Sequence, residues 1–277
     1  MKVVVTGASG FLGQQIVTRL RSSYGHEVVG VSRRKIDGLV FVADYKEIPS
    51  GDILIHLAEE NSRAGANVGG AKELVRSLRT IENFSKRSFS RIIYVSSAVL
   101  YGDKSTHAHE TSDAIEVNDD YSKLKLSGEQ AIVASGHGMS VRLSNLYGPG
   151  MNSGNVVSTI LRQAKIGEVI TVETLEPIRD FLWAEDAATA ILRIALNESF
   201  AKLPEILNIG TGVGSSIREI AEIASRAAGW TQFNISARSI GAPSCIILNI
   251  DETIKQLDWH PTVDIHAGLA RLLHNEK

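Results

Sequence analysis

Short, mostly apolar runs recur through the first half of the chain, and stripes of apolar residues with helical spacing lie between them. The runs are Val3–Val5, Val28–Val31, Leu39–Val42, Ile53–Leu57, Ile92–Val95 and Met139–Leu143. The two clearest stripes are Leu12, Ile16, Val17 and Leu20, and Ala71, Leu74, Val75 and Leu78. Runs of this kind are typical of short strands in a sheet that is covered on both faces. Their alternation with helices predicts an α/β fold with a doubly wound parallel sheet and right-handed crossovers.

The pattern loosens after Tyr147–Gly150, where the elements become shorter and less regular. The predicted elements are a helix near Asn155–Ala164, a strand at Val169–Val172, a helix opening at Asp186, a strand at Leu207–Ile209 and a helix near Ile217–Ala228. We therefore expect a sheet domain over residues 1–150, with a return segment near 180–200. Residues 151–179 and 201–277 are expected to form a smaller C-terminal α/β lobe for substrate. The site is expected in the cleft at the carboxyl ends of the strands.

Composition and charge narrow the class of protein. The chain has 277 residues and a formal net charge of -2, so no excess of positive charge points to nucleic acid or an anionic membrane. Cys245 is the single cysteine, which excludes an internal disulfide, and its apolar neighbours indicate a small buried hydrophobe. The first strand begins at Lys2 or Val3, which leaves no room for a signal peptide, and no apolar run has the length of a membrane span. A cytoplasmic protein is expected.

A glycine-rich turn, Thr6–Gly13, joins the first predicted strand to the first predicted helix. A dinucleotide site needs a tight turn, a bare backbone against the pyrophosphate and a helix N-terminus facing the phosphates. Gly7 suits the turn, Gly10 the close approach and Gly13 the packing of helix on strand. The cofactor contacts expected in this turn are Gly7, Ser9, Gly10, Phe11, Leu12 and Gly13. The motif predicts that the sheet domain is a Rossmann-type dinucleotide-binding domain. The alternative interpretation of Thr6–Gly13 is an ordinary strand-to-helix turn.

The end of the second strand indicates which dinucleotide is bound. An acidic residue there accepts hydrogen bonds from the ribose 2′-hydroxyl of NAD, whereas an arginine accommodates the 2′-phosphate of NADP. This chain has Ser32, Arg33 and Arg34 at that point and no carboxylate. We therefore predict a preference for NADP(H), with NAD(H) still possible; the alternative is a pair of solvated arginines. Asp44 is placed to contact the adenine, or equally to cap the turn before Ile48.

Tyr121 and Lys125 are four residues apart, so a helix would place both on one face. A nearby ammonium stabilises a phenolate, and Tyr121 can then exchange a proton with a substrate oxygen while hydride moves to or from a nicotinamide. Lys125 would also anchor the cofactor ribose. Ser97, at the end of a predicted strand, can hydrogen-bond the same oxygen. The alternatives are that Tyr121 packs on the core edge and that Ser97 caps the strand end.

Together these motifs resemble the extended short-chain dehydrogenase/reductase superfamily, in its branch of nucleotide-sugar epimerases, dehydratases and reductases. The resemblance covers nearly the whole chain and includes the segments His56–Ala58, Arg142–Pro149 and Arg179–Phe181. It implies that Ser97, Tyr121 and Lys125 are catalytic and that Leu57 and Ala58 line the cofactor site. It further implies that the substrate-binding residues, besides Ser97, are Asn145, Asn155 and Arg179. A homodimer formed by the helix after Asn67 and the helix bearing Tyr121 is also implied.

Several positions depart from the pattern of that superfamily. Glu59 stands where a small residue is usual. Asp119 and Asp120 precede Tyr121, where they would either oppose Lys125 or favour a helix N-terminus. Ala98 and Val99 replace the acidic pair that dehydratases carry after the catalytic hydroxyl, so dehydration is not expected.

His107 and His109 lie two residues apart in a polar stretch. We expect no metal site there, because no complementary cluster is evident. A mobile active-site loop is expected instead, in which one of the histidines assists proton transfer.

These observations predict an NADP(H)-dependent oxidoreductase that reduces a keto group on a nucleotide-activated sugar, with Tyr121 as the proton donor. One alternative is a nucleotide-sugar 4-epimerase with tightly bound NAD(P). A second is a catalytically silent NADP-binding scaffold or sensor, and the substrate can also be another small carbonyl compound. Neither a nucleic-acid partner nor a membrane partner is expected.

Overall fold

The structure is a computed structural model, and it describes residues 1–23, 25–59, 63–167 and 169–274. Its strands are β1 (Lys2–Thr6), β2 (Glu27–Ser32), β3 (Val40–Phe41), β4 (Ile53–His56), β5 (Arg91–Ser97), β6 (Gly138–Leu143), β7 (Asn145–Tyr147), β8 (Ile170–Val172), β9 (Ile178–Trp183), β10 (Ile206–Ile209), β11 (Gly214–Ser216), β12 (Ile235–Ala237) and β13 (Cys245–Ile246). Its helices are α1 (Phe11–Ser23), α2 (Arg63–Ser85), α3 (Asp120–Val133), α4 (Val156–Ile166), α5 (Ala184–Ala195), α6 (Ile217–Ala227), α7 (Asp251–Leu257) and α8 (Ile265–Leu273).

The central sheet has seven strands in the order β3-β2-β1-β4-β5-β6-β10. All of its neighbouring strands are parallel. The order reverses on either side of β1, which opens a crevice at the carboxyl ends of β1 and β4. The predicted Rossmann-type doubly wound sheet is therefore confirmed.

Alternate residues of the strands face opposite layers of helices. Val3 and Val5 face a core that includes residues of α1 and α5, whereas Val4 faces the side covered by α2 and α3. The predicted stripe on α1 is buried throughout, from Leu12 to Leu20. Burying one such aliphatic side chain stabilises a fold by about 1.5–3 kcal/mol, so these two layers hold the sheet in place.

One expectation about burial in this domain was wrong. Val40 and Phe41 of β3 are 40% and 47% exposed, because this two-residue strand forms the open edge of the sheet. The stripe predicted on α2 is helical as expected, and its Val75 is 47% exposed. The side of α2 that is buried against the sheet instead carries Ile81 and Phe84.

The second lobe has its own core and two small sheets. In one sheet β9 pairs with β7, β11 and β13, and in the other β8 pairs with β12. Helices α4, α6 and α8 contribute buried residues to this core. Cys245 is buried in β13.

The segment after residue 200 does not belong wholly to this lobe, because β10 joins the central sheet beside β6. A four-residue apolar strand carries no signal of which sheet it will join, so the sequence did not reveal this crossing. In the part of the chain that the structure describes, no helix has both the length and the apolarity to cross a membrane.

Candidate active site

The glycine turn between β1 and α1 is built as its three glycines require. Gly7 has a φ of +69°, a conformation that favours glycine. The Gly10 N–H donates to the Gly7 carbonyl at 2.8 Å and closes the turn. A Cβ on Gly13 would lie 2.2 Å from the Gly7 oxygen, so α1 could not approach the turn this closely with any other residue.

A cavity of about 380 Å³ lies above this turn. It brings together predicted residues from four regions: the glycine turn, the ends of β4 and β5, helix α3 and the start of α4. The predicted residues in its wall are Gly7, Gly10, Phe11, Leu12, Gly13, Leu57, Ser97, Tyr121, Lys125 and Asn155. The predicted cofactor turn and the predicted catalytic group therefore share one cavity, although more than eighty residues of the chain separate them.

Helix α3 presents Tyr121 and Lys125 to this cavity. It begins with a capping box, in which the Ser122 N–H donates to Asp119 Oδ1 at 2.7 Å. Asp120 pairs with Lys123 at 3.1 Å. Asp119 and Asp120 therefore stabilise the N-terminal turn of the helix. The Lys125 Nζ lies 5.9 Å from the centroid of the Tyr121 ring.

Ser97 ends β5 at the wall of the same cavity. Its Oγ accepts a hydrogen bond from the Val99 N–H at 3.3 Å, so it also caps the short 3-10 turn that follows. This bond uses the hydroxyl as an acceptor, and its O–H is still available as a donor.

Glu59 adds a buried carboxylate to this wall that the sequence marked only as unusual. Its side chain is 4% exposed, and its Oε2 lies 2.9 Å from the Lys125 Nζ. It also accepts hydrogen bonds from the hydroxyls of Tyr94 and Ser77. Lys125 donates a second bond, to the Val95 carbonyl at 3.0 Å.

Burial and pairing act in opposite directions on these two groups. Burial raises the pKa of the Glu59 carboxyl, but Lys125 and the donors around it outweigh burial and hold that pKa below its usual value. Burial lowers the pKa of the Lys125 ammonium, but the attraction of Glu59 outweighs it and the pKa lies above its usual value. Both groups are therefore charged at neutral pH.

The residues predicted to select NADP lie beside the glycine turn. Ser32 is fully buried, and its Oγ lies 3.0 Å from the Ser9 Oγ and accepts from the Arg34 N–H at 2.9 Å. The Arg34 guanidinium donates to the Ser9 carbonyl at 3.1 Å. Arg33 is exposed and lies over the Tyr45 ring, 5.3 Å from its centroid.

A second, smaller cavity of about 70 Å³ adjoins this region and includes Arg33, Asp44, Ala58 and Glu59 in its wall. Asp44 caps the short turn at residues 45–47 by accepting from the Lys46 N–H at 3.0 Å, and this bond lowers its pKa. The capping role is therefore seen, and the adenine contact stays a prediction.

The predicted substrate contacts are only partly brought together. Asn155 caps α4, where its Oδ1 accepts from the Ser158 N–H at 2.8 Å, and it lies in the wall of the main cavity. Asn145 is exposed on β7. Arg179 donates to the Ser244 hydroxyl at 2.6 Å and lies 3.9 Å from Asp103. Neither Asn145 nor Arg179 is among the residues that form the cavity wall.

Two serines in the wall were missed. The hydroxyls of Ser96 and Ser144 are buried and have no hydrogen-bond partner among the described residues. Buried hydroxyls normally have partners, so these two suit a polar ligand such as a nicotinamide cofactor or a sugar. The signal in the sequence was their position next to the predicted residues Ser97 and Asn145.

The loop that carries His107 and His109 is held to its surroundings through His109, and its mobility stays a prediction. His109 is buried, and its ring stacks on that of Tyr101 with 4.8 Å between the ring centroids. The backbone N–H of His109 donates to the Ile247 carbonyl at 2.8 Å. Both His107 and His109 contact Asp113 Oδ2, at 3.1 Å and 2.9 Å. One ring nitrogen of each histidine and one carboxylate oxygen of Asp113 lie within 4.8 Å of one another, which is close enough for the three to bind one metal ion. None of the three is among the residues of the cavity wall.

The model of the NAD dependent epimerase/dehydratase family matches residues 3–210. The chain belongs to this family. The expected membership of the extended short-chain dehydrogenase/reductase superfamily is thereby confirmed, and with it an NAD(P)-dependent enzyme.

Two relatives and one solved structure that are similar to this chain are named for enzymes of nucleotide sugars. It is 24% identical to GDP-L-fucose synthase of Sinorhizobium fredii, over 98% of this chain and 93% of the relative. It is 26% identical to dTDP-6-deoxy-L-talose 4-dehydrogenase (NAD(P)(+)) of Kitasatospora kifunensis, over 80% and 77%. The structure of Thermotoga maritima UDP-glucose 4-epimerase with UDP-glucose superposes with a TM-score of 0.85 at 21% identity, over 99% of this chain and 98% of that one.

Proposed function

We propose that this protein is an NADP(H)-dependent reductase of a keto group on a nucleotide-activated sugar. One observation carries the proposal: Ser97, Tyr121 and Lys125 line the same cavity as the glycine turn between β1 and α1. A proton donor, a hydrogen-bond donor and a cation thus adjoin the place where a dinucleotide is expected, which is the set of groups that carbonyl reduction requires.

Each of the three side chains has a distinct role in this proposal. A bound nicotinamide supplies the hydride. Tyr121 gives a proton to the substrate oxygen, and Ser97 donates a hydrogen bond to that oxygen so that its developing negative charge is stabilised. Lys125 stabilises the charge left on the phenol and holds the cofactor ribose.

The preference for NADP(H) rests on the end of β2. This turn carries Arg33 and Arg34 and no carboxylate that would select the ribose 2′-hydroxyl of NAD. Arg34 lies against the glycine turn through its bond to Ser9, and Arg33 is exposed beside the smaller cavity. Guanidinium groups in these places suit a 2′-phosphate.

A sugar-nucleotide substrate is supported by the relatives and by the polar end of the cavity. The two relatives are named for GDP- and dTDP-linked sugars. Asn155 and Asn152 lie in the wall near the second lobe and can bind phosphate or sugar oxygens without adding charge. Asn145 and Arg179 are proposed for the diphosphate, beyond the cavity wall.

The test uses the purified protein, NADPH or NADH, and 4-keto-6-deoxy sugars linked to GDP or dTDP. We expect one equivalent of cofactor to be oxidised for each sugar reduced, faster with NADPH than with NADH. Tyr121→Phe should lower kcat about 10²- to 10⁴-fold while cofactor still binds. With a nucleotide sugar that carries a C4 hydroxyl, such as UDP-glucose, interconversion of the C4 epimers with no net cofactor oxidation would contradict the proposal and support the 4-epimerase.

A homodimer stays a prediction. Helices α2 and α3 pack against each other beside the sheet, and Leu74, Leu78 and Leu126 are half-buried there, whereas Ile132 is internal. Light scattering coupled to size-exclusion chromatography should give twice the mass of the chain, and a monomeric mass would contradict this prediction.

A further inference from the structure

The Glu59–Lys125 pair lies where the reaction is proposed to occur. Glu59 follows β4, and its carboxylate is held by groups from three other elements: Ser77 of α2, Tyr94 of β5 and Lys125 of α3. The Lys125 side chain is 9% exposed and that of Glu59 is 4% exposed. Burying two charges is costly unless they are paired and hydrogen-bonded, and here the carboxylate accepts from three side chains.

The bonds of Lys125 leave its ammonium little freedom. A lysine ammonium has three N–H donors. Among the described residues, Glu59 accepts one at 2.9 Å and the Val95 carbonyl accepts another at 3.0 Å. The remaining N–H is available to the cavity, where Tyr121 lies. Removing the carboxylate would free the ammonium to turn and would also remove its counter-charge.

We propose that Glu59 is a positioning residue of the active site, whose carboxylate keeps Lys125 protonated and directed into the cofactor cavity. The proposal rests on the proposed role of Lys125 in holding the cofactor, and not on the direction of the reaction.

Among the residues that the structure describes, the other titratable groups around the pair do not supply that counter-charge. The groups that face it or its partners are His56 of β4, Tyr94 of β5, the Glu73–Arg76 pair of α2, and Tyr121 and Glu129 of α3. His56 is neutral above pH 5 because burial lowers its pKa to about 4. Burial raises the pKa of Tyr94, so its phenol stays protonated. Glu129 is bound to Arg142, and Glu73 to Arg76.

The experiment measures binding of NADPH by its fluorescence as the pH is raised from about 7 to about 9.5. In the unchanged protein Lys125 stays charged, and the Kd should stay within about twofold. In Glu59→Gln the buried lysine loses its proton at lower pH, and the Kd should rise about tenfold or more over this range. The double variant Glu59→Gln/Lys125→Arg, whose guanidinium does not titrate, should lose this pH dependence.

Two further variants keep the test decisive. Glu129→Gln is the matched control, because it removes a buried carboxylate of the same helix from its cation, Arg142 of β6, and neither residue is in the cavity wall. It should lower the melting temperature without changing the pH dependence of NADPH binding. If Glu59→Gln does not fold, Glu59→Asp serves instead: its shorter side chain should give an alkaline loss of affinity of about threefold.

The outcomes separate the two proposals. A Glu59→Gln protein, or a Glu59→Asp protein in its place, whose Kd follows the unchanged protein at every pH would overturn the role of Glu59 alone. Failure of the unchanged protein to bind NADPH or NADH at all would overturn the proposed function. Binding with the expected pH dependence but no reduction of any keto sugar would support Glu59 and contradict the reductase.

Discussion

Two buried ion pairs lie one turn apart on helix α3, and they differ in what surrounds them. Lys125 pairs with Glu59 at 2.9 Å in the wall of the cavity, and Glu129 pairs with Arg142 at 2.5 Å in the interior. Arg142 also donates to the Tyr101 hydroxyl at 2.8 Å, so its planar fork is held on several sides.

The difference shows how the same helix serves stability and chemistry. Arginine stays charged at any physiological pH and bonds carboxylates through a rigid fork, which suits a fixed structural pair. Lysine has a single titratable nitrogen with three donors, so one donor can be left for a ligand. We infer that the Glu129–Arg142 pair fixes β6 to α3, whereas the Glu59–Lys125 pair leaves one lysine N–H free to bind a ligand in the cavity.

The largest expected effect comes from replacing the cavity pair without leaving a buried charge. Glu59→Gln/Lys125→Met should lower kcat/KM about 100-fold or more, because the cation near Tyr121 is lost. Its free energy of unfolding should stay within about 1 kcal/mol of the unchanged protein, since both charges are removed together. Steady-state kinetics and urea denaturation measure the two quantities. An unchanged kcat/KM would show that the reaction needs the cavity pair no more than it needs the interior pair.

Breaking the interior pair should have the reverse result. Glu129→Gln leaves the Arg142 guanidinium buried without its counter-ion, which should lower the free energy of unfolding by about 3 kcal/mol. The value of kcat well below the melting temperature should change less than about twofold. Urea denaturation with kinetics at low temperature checks this, and a large fall in kcat in folded protein would show that the pair also serves the reaction.

His56 sharpens the comparison, because it is a buried titratable group held neutral. Its Nδ1 lies 2.7 Å from the Thr6 Oγ1, and burial lowers its pKa from 6.5 to about 4. The unfolded state therefore binds the proton first, and stability is lost as the pH falls from 6.5 toward 4. Linkage gives about 1.4 kcal/mol for each pH unit, or about 3 kcal/mol in all.

The measurement is urea denaturation across this pH range for the unchanged protein and for His56→Gln. The variant lacks the titrating ring, so its stability should fall less on acidification by about 3 kcal/mol. Carboxylates that do not interact with His56 titrate in both proteins and cancel in the difference, whereas Glu59 interacts with the His56 ring and contributes to it. Parallel curves for the two proteins would show that His56 accepts a proton in the folded state as readily as in the unfolded state.

The smallest expected effect belongs to an exposed charge. Arg34→Ala should weaken NADPH binding about tenfold and NADH binding little, and added salt should reduce the difference. Lys35→Ala is the matched control, because it removes a neighbouring exposed cation that lies over Phe41. Equal losses of NADPH and NADH affinity in Arg34→Ala would contradict recognition of a 2′-phosphate.

The parts of the fold that follow from local pattern were predicted well. The glycine turn, the buried stripe of α1 and the helical spacing of Tyr121 and Lys125 are properties of contiguous residues, and the structure shows them where they were expected. The exposure of β3 and the pairing of β10 depend on which neighbour a strand finds, and short apolar segments carry no such information.

The site shows the same division. Glu59, the partner of Lys125, is 66 residues away in the chain. Motif spacing cannot predict this pair, because it forms only when the fold brings the end of β4 close to α3. Ser144 lies in the wall and its neighbour Asn145 does not, because a side chain's direction at the junction of β6 and β7 depends on local backbone geometry. Motif spacing located that segment but could not choose between the adjacent residues.

A crystal structure of the protein with NADPH bound would test the central claim most directly, namely that one cavity joins the glycine turn to Tyr121 and Lys125. We predict the pyrophosphate at the start of α1 and the nicotinamide ribose within hydrogen-bond distance of Lys125, with the Lys125–Glu59 pair intact. A nicotinamide bound away from Ser97 and Tyr121, or a Lys125 turned out of the cavity, would contradict it.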